Sequence, residues 1–200
     1  VRRALVEATD ALLTCGAAVT PKDWDRPATD RWTVRQLLAH VVRSLAVVGE
    51  LLDADLDPQG PPLTGPTGYY RAALDHAGAH DGIAGRATEA ASATDRDPMP
   101  WARDVVAALL DRVAVTPGDR PFVHLVGWLP FDEYLVTRVV EVVLHTFDLQ
   151  LACGLTPSAP GGALAVVDPF LVDLADRADP TALALALTGR SSSTVCNVLG

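Results

Sequence analysis

The segment from Phe131 to Cys153, FDEYLVTRVVEVVLHTFDLQLAC, limits the fold more than any other stretch of this chain. Val, Leu and Phe fill most of it, and Gly154 with Pro157 closes it, so it predicts one long helix. At 100° per residue, Tyr134, Arg138, Glu141, His145 and Asp148 fall within a single wedge of roughly 80°, and the rest of the circumference is mostly apolar. A rod of this kind needs neighbours on several sides, which implies a helical bundle. A polar strip ordinarily faces water. This one holds no Lys, however, and ionisable groups on so apolar a helix are seldom left without a partner or a ligand.

The other segments supply those neighbours. From Val1 to Ala18, Ala4, Leu5, Ala8, Ala11, Leu12 and Cys15 follow helical spacing up to Gly16. After the polar loop KDWDRPATDRW, Thr33 and Gln36 have the spacing of a capping box and predict a second helix with a stripe of Val34, Leu37, Leu38, Val41, Leu45, Val48 and Leu52. A third helix is expected from Tyr69 to about Ser92, weakened by Gly78, Gly82 and Gly85, and a fourth from Pro100 to Val113. TPGDRPFVHLVGWLP reads as a loop with one short extended piece. Beyond Pro157 one more helical segment is expected, then short strands at TALALAL and STVCNVL around the turn TGRSSS. The expected architecture is mainly α: a bundle over 1–155, then a small α+β domain over 156–200.

Composition narrows the function. With 16 Lys and Arg against 25 Asp and Glu, the net charge of −9 offers no footprint for phosphate backbones, which argues against nucleic acid as a partner. No apolar run is long enough to span a membrane, and Glu7 and Asp10 interrupt the N-terminal segment where a secretory core is apolar, so a soluble, cytoplasmic protein is expected. Cys15, Cys153 and Cys196 are odd in number and lack Cys-x-x-Cys spacing, so they read as small buried hydrophobes.

Glu141 and His145 are four residues apart and lie one turn above the other, so both can reach one divalent cation. Catalytic zinc usually takes three protein ligands, so a third must come from elsewhere. His40, on the flank of the second helix's apolar stripe, could face it across the bundle. His76 and His80 are a rival pair at the same spacing, and His124 lies in a loop between Phe122 and Leu125. Asp148 could orient the His145 imidazole or simply close the helix. Arg138 could hold a substrate carboxylate or form an internal ion pair. Tyr69, Tyr70 and Arg71, where the third helix opens, could reach a pocket mouth or pack the helix entry.

The chain resembles the mycothiol-dependent maleylpyruvate isomerase family of the DinB-like metalloenzymes. The resemblance rests on WTVRQLLAH, Trp32 to His40, and RVVEVVLHTFDL, Arg138 to Leu149, which match W-T-x-x-x-L-L-A-H and R-x-x-E-x-x-x-H-x-x-D-L in order. It implies a DinB-like four-helix bundle with a long crossover, followed by a small C-terminal domain. It also implies that His40, Glu141 and His145 hold one divalent metal, usually zinc, with a vacant position for the thiol of mycothiol. This donor set admits Ni²⁺, Fe²⁺ or Mn²⁺ as well. Tyr69, Arg71 and Tyr134 are then candidate contacts for the thiol cosubstrate, and Arg138, Asp148 and Arg190 candidate catalytic residues. The implied function is addition of the thiol to an electrophilic small molecule, as an S-transferase or an isomerase, in a monomer or small homo-oligomer. Two alternatives remain: maleylpyruvate cis-trans isomerisation in aromatic catabolism, and a non-catalytic DinB-like accessory that binds metal or ligand.

Overall fold

The computed structural model describes residues 1–75 and 97–188, apart from a few side chains in the last two helices. Its elements in chain order are α1 (Arg2–Ala17), α2 (Val34–Ala54), α3 (Gly65–Asp75), α4 (Met99–Val115), β1 (Pro121–His124), β2 (Gly127–Pro130), α5 (Phe131–Ala152), α6 (Gly161–Ala178) and α7 (Pro180–Leu187). The fold is mainly α with one small sheet among the described residues, as the sequence predicts.

The apolar α5 is the axis of the molecule, and α1, α2, α3 and α6 all pack on it. The whole predicted stripe of α2 is buried, with Val34, Leu37, Leu38, Val41, Leu45 and Val48 at 0% exposure. Each such side chain contributes about 1.5–3 kcal/mol relative to an exposed one. The capping box forms: the Gln36 amide donates to Thr33 Oγ1 at 3.3 Å and the Thr33 amide to Gln36 Oε1 at 3.0 Å. This fixes where α2 begins, and therefore which face His40 presents. At the opposite end of the bundle, Arg2 donates from Nε to Asp132 Oδ1 at 2.9 Å and from its two terminal nitrogens to the Val113 and Thr116 carbonyls, each at 2.6 Å. One guanidinium thus caps α4 and pins the start of α5.

Three expectations need revision. The segment read as a loop with one extended piece is a hairpin, β1 antiparallel to β2, with Phe122 opposite Leu129 and His124 opposite Gly127. Leu125 and Val126 make its two-residue turn, and neither announces a turn as Asn-Gly does. TALALAL is not a strand. It lies in α7, where Asp179 Oδ1 accepts from the Thr181 amide at 3.0 Å, because Ala and Leu are strong helix formers and Pro180 sits at the first helical position. Finally, the third helix starts at Gly65, earlier than expected; Gly78, Gly82, Gly85, His76 and His80 lie outside the described residues, as do STVCNVL, Arg190 and Cys196. The boundary at 155/156 falls in the loop between α5 and α6, and Ala163, Val167, Phe170 and Leu174 of α6 join the same core as α1 to α5.

Candidate metal centre

The polar strip of α5 does not simply face water. Tyr134 is 1% and Arg138 8% exposed, whereas the side chains of Glu141, His145 and Asp148 are 15%, 21% and 37% exposed. The strip therefore runs from the bundle interior outward. Tyr134 stacks on Phe122 with ring centroids 4.2 Å apart, and the Arg138 guanidinium lies over the Tyr134 ring at 5.1 Å. Arg138 Nε donates to Thr137 Oγ1 at 3.2 Å, and among the described residues no carboxylate lies within ion-pair distance of Arg138.

His40 of α2 meets this strip at its middle. Its Nε2 is 2.8 Å from Glu141 Oε1, and His145 Nε2 is 3.3 Å from the same oxygen. One donor atom from each of these three residues lies within 4.8 Å of the other two. Zn–N and Zn–O bonds of about 2.0–2.2 Å in a tetrahedron put neighbouring donors about 3.4 Å apart, so the spacing needs little adjustment to take a cation. The chemistry of the set points the same way. Both imidazoles aim a ring nitrogen at one carboxylate oxygen, the arrangement in which a divalent cation could stand between the three donors. Two nitrogens and an oxygen suit zinc and other first-row divalent metals, and the residues fit the group that the resemblance implies.

The surroundings hold each donor in place. Asp148 Oδ2 lies 2.9 Å from His145 Nδ1; since a carboxylate only accepts, Nδ1 carries the proton and Nε2 turns to Glu141. The Tyr70 hydroxyl, from α3, donates to Glu141 Oε2 at 2.8 Å. The Trp32 ring stacks on His40 with centroids 4.5 Å apart and meets His145 edge-on at 6.0 Å. Its indole nitrogen is buried without a hydrogen-bond partner among the described residues. Burial works against the charge of Glu141, but the bonds from His145 and His40 and the positive charge of Arg138 outweigh it and hold the carboxyl well below its usual range. Burial likewise opposes the charging of His145, but Asp148 and Glu141 prevail and push it up to about 9.

The structure thus brings together His40, Glu141, His145 and Asp148, with Arg138 and Tyr134 successively deeper on the same face of α5. Tyr69 is 4% exposed, with its hydroxyl 3.1 Å from His124 Nδ1 and its ring edge-on to Tyr134 at 5.3 Å, so it packs the floor below the donors. Arg71 is exposed on α3. The tyrosine of this segment that reaches the donors is Tyr70. The sequence puts Tyr70 at the helix entry and offers Tyr69 and Arg71 as the contacts; its only signal for Tyr70 is an aromatic pair opening a helix, with nothing local to say which ring turns inward.

A helical bundle that closes two His and one Glu around one point between a capped helix and an apolar axial helix defines a DinB-like bundle with a candidate metal centre. The chain matches the family model described as Mycothiol maleylpyruvate isomerase N-terminal domain over residues 5–150, and it belongs to that family. No curated protein and no solved structure matches the chain significantly. No helix among the described residues is long and apolar enough to cross a membrane.

Proposed function

We propose that this protein is a divalent-metal-dependent enzyme that activates a low-molecular-weight thiol, mycothiol, for addition to an electrophilic small molecule, as an S-transferase or isomerase. One observation carries the reading: His40 and Glu141, 101 positions apart, meet at 2.8 Å with His145 beside them. A cation bound by these three residues, zinc above all, would supply the positive charge that keeps a thiol ionised at neutral pH, where a free thiol of pKa about 8.5 is only a few per cent thiolate.

The chain's own groups do the rest. Glu141 stays ionised in a largely apolar surround because two imidazoles and a phenol bond it. Asp148 accepts a hydrogen bond from Nδ1 of His145, so Nε2, whose proton faces Glu141 in the metal-free protein, is the nitrogen that would turn to a bound cation. Arg138, one turn deeper and with no carboxylate at ion-pair distance among the described residues, adds positive charge beside the site and favours an electrophile that carries an acid group. In transfer, a sulfur–carbon bond forms and the neighbouring carbon takes a proton from solvent. In isomerisation the adduct rotates and expels the thiolate, so the thiol is recovered. The Arg138 charge favours maleylpyruvate isomerisation as the second reading, since that substrate is anionic. Arg190 remains a proposed contributor from the C-terminal part, 156–200.

The test is direct. Protein loaded with Zn²⁺ is mixed with mycothiol and a panel of activated alkenes, and products are followed by mass spectrometry. A conjugate, or an isomerised alkene, that depends on metal and disappears in His40→Ala supports the proposal. One metal ion bound per chain with no thiol chemistry on any alkene would instead favour the accessory reading.

A further inference from the structure

The two oxygens of Glu141 have different partners. Oε1 faces both imidazole nitrogens at 2.8 and 3.3 Å, and Oε2 accepts from the Tyr70 hydroxyl at 2.8 Å. Tyr70 is in turn held from the far side. Its ring meets Phe170 of α6 edge-on, with centroids 5.2 Å apart, and Phe170 is only 5% exposed. One turn earlier on α3, the buried Thr67 hydroxyl donates to Asp173 of α6 at 2.7 Å. Two contacts, one apolar and one polar, therefore dock α3 on α6 at the level of the carboxylate. Both α6 residues lie beyond the segment 5–150 that matches the family.

We propose that Tyr70 is a positioning residue that confines Glu141 to one-oxygen coordination, and that Phe170 of α6 holds Tyr70 in that role. The proposal rests on the reading of His40, Glu141 and His145 as ligands. A carboxylate binds a metal through one oxygen or through both, and a neutral phenol that donates to one oxygen occupies one of its lone pairs and holds that oxygen away from the two imidazole nitrogens. With Oε2 occupied, the chain supplies three donor atoms, which leaves a tetrahedral ion one position for an incoming sulfur. Without the phenol, Oε2 is free to turn onto the metal, raise the coordination number and compete for that position. The C-terminal segment then acts on the centre by holding α3, without contributing a ligand.

Cobalt(II) reports this directly, because its visible bands are intense in four-coordinate sites and weaken as coordination number rises. The full chain is loaded with one equivalent of Co²⁺, and wild type is compared with Tyr70→Phe, Phe170→Leu, the α6 surface control Val172→Ala and the ligand variant His145→Ala. The expected result is a several-fold loss of visible absorptivity in Tyr70→Phe with Co²⁺ still bound, a smaller loss in Phe170→Leu, and no change in Val172→Ala. Loss of packing alone leaves the band intensity per bound cobalt unaltered, so this readout separates coordination from stability. Wild-type spectra in Tyr70→Phe with cobalt binding abolished in His145→Ala would overturn the positioning role and leave the metal site standing. Undiminished cobalt binding in His145→Ala, or none in wild type, would sink both.

Discussion

Glu141 and His40 stand 101 positions apart in the chain, yet one carboxylate oxygen and one imidazole nitrogen meet at 2.8 Å where α5 crosses α2. Neither position is free to move: the capping box sets the register of α2, and Arg2 ties down the first turn of α5. The bundle therefore builds the centre before any ligand arrives, and the ordering cost of bringing three donors together falls on folding.

If that is so, removing one donor should remove the ion without removing the fold. Wild-type protein should bind about one Zn²⁺ per chain by elemental analysis, and His145→Ala should retain little after gel filtration while its circular dichroism stays helical. Glu141→Gln keeps the shape and loses the charge, and should fall with it. Equal metal content in wild type and His145→Ala would place the site elsewhere.

Asp148 tests a subtler point. Partners of ligating imidazoles typically change metal affinity 10–100-fold, so Asp148→Asn should weaken Zn²⁺ binding by that order in a competition titration. An unchanged affinity would make Asp148 only a residue near a helix end.

The metal-free protein should respond to alkali in a defined direction. His145 has its folded pKa raised from 6.5 to about 9, so its contribution to stability is fully present below pH 6.5 and is lost as pH rises through about 9. The upper limit is about 3 kcal/mol. Thermal melts of metal-free protein should therefore fall between pH 7 and 9, and less so in Asp148→Asn, where part of the shift is gone. Zn²⁺ binding at pH 7.5 should release a proton from this ring, visible as an enthalpy that depends on the buffer's ionisation heat. A buffer-independent enthalpy would count against the charged ring.

The helices that could be read from the sequence are those whose own residues specify them. For α2, the Thr33 and Gln36 box marks the start and a continuous stripe marks the buried face; for α5, length and apolarity suffice. The convergence of His40 on Glu141 and His145 is what the family resemblance implies, since no periodicity says which helices cross. What stayed hidden depends on docking. Tyr69 and Tyr70 are adjacent and point about 100° apart on a helix. Which one reaches α5's carboxylate is decided when Tyr69 fills the space between His124 and Tyr134, a contact between segments far apart in the chain. The α7 helix was missed for a different reason: alternation of Ala and Leu suggests a strand, while their intrinsic preference and the Asp179 cap favour a helix.

The cysteines provide a check on where the reacting sulfur resides. Burial first, and then the nearby Cys153, push the Cys15 thiol up to about 11, so it stays protonated in the folded protein at pH 8. Ellman's reagent should leave Cys15 unmodified until denaturant is added, and Cys15→Ser with Cys153→Ser should keep thiol-transfer activity within a few fold. Abolished activity in a folded variant would point to a nucleophile carried by the chain.

Trp32 should serve as the built-in reporter of the centre. Its ring is stacked on His40 at 4.5 Å, and the remaining three of the four tryptophans, Trp24, Trp101 and Trp128, have no ring contact with His40 or His145 among the described residues. A paramagnetic ion such as Co²⁺ held by His40, Glu141 and His145 would be bound to the two imidazoles that this indole touches and should quench it, with a break at one equivalent. In Trp32→Phe the stack is kept in reduced form, and the buried, unpartnered N–H, which costs about 1–3 kcal/mol, is removed together with some packing volume. The variant should therefore stay folded and bind cobalt while losing most of the quench. A quench of the same size in Trp32→Phe would mean that the ion binds near another tryptophan, away from His40.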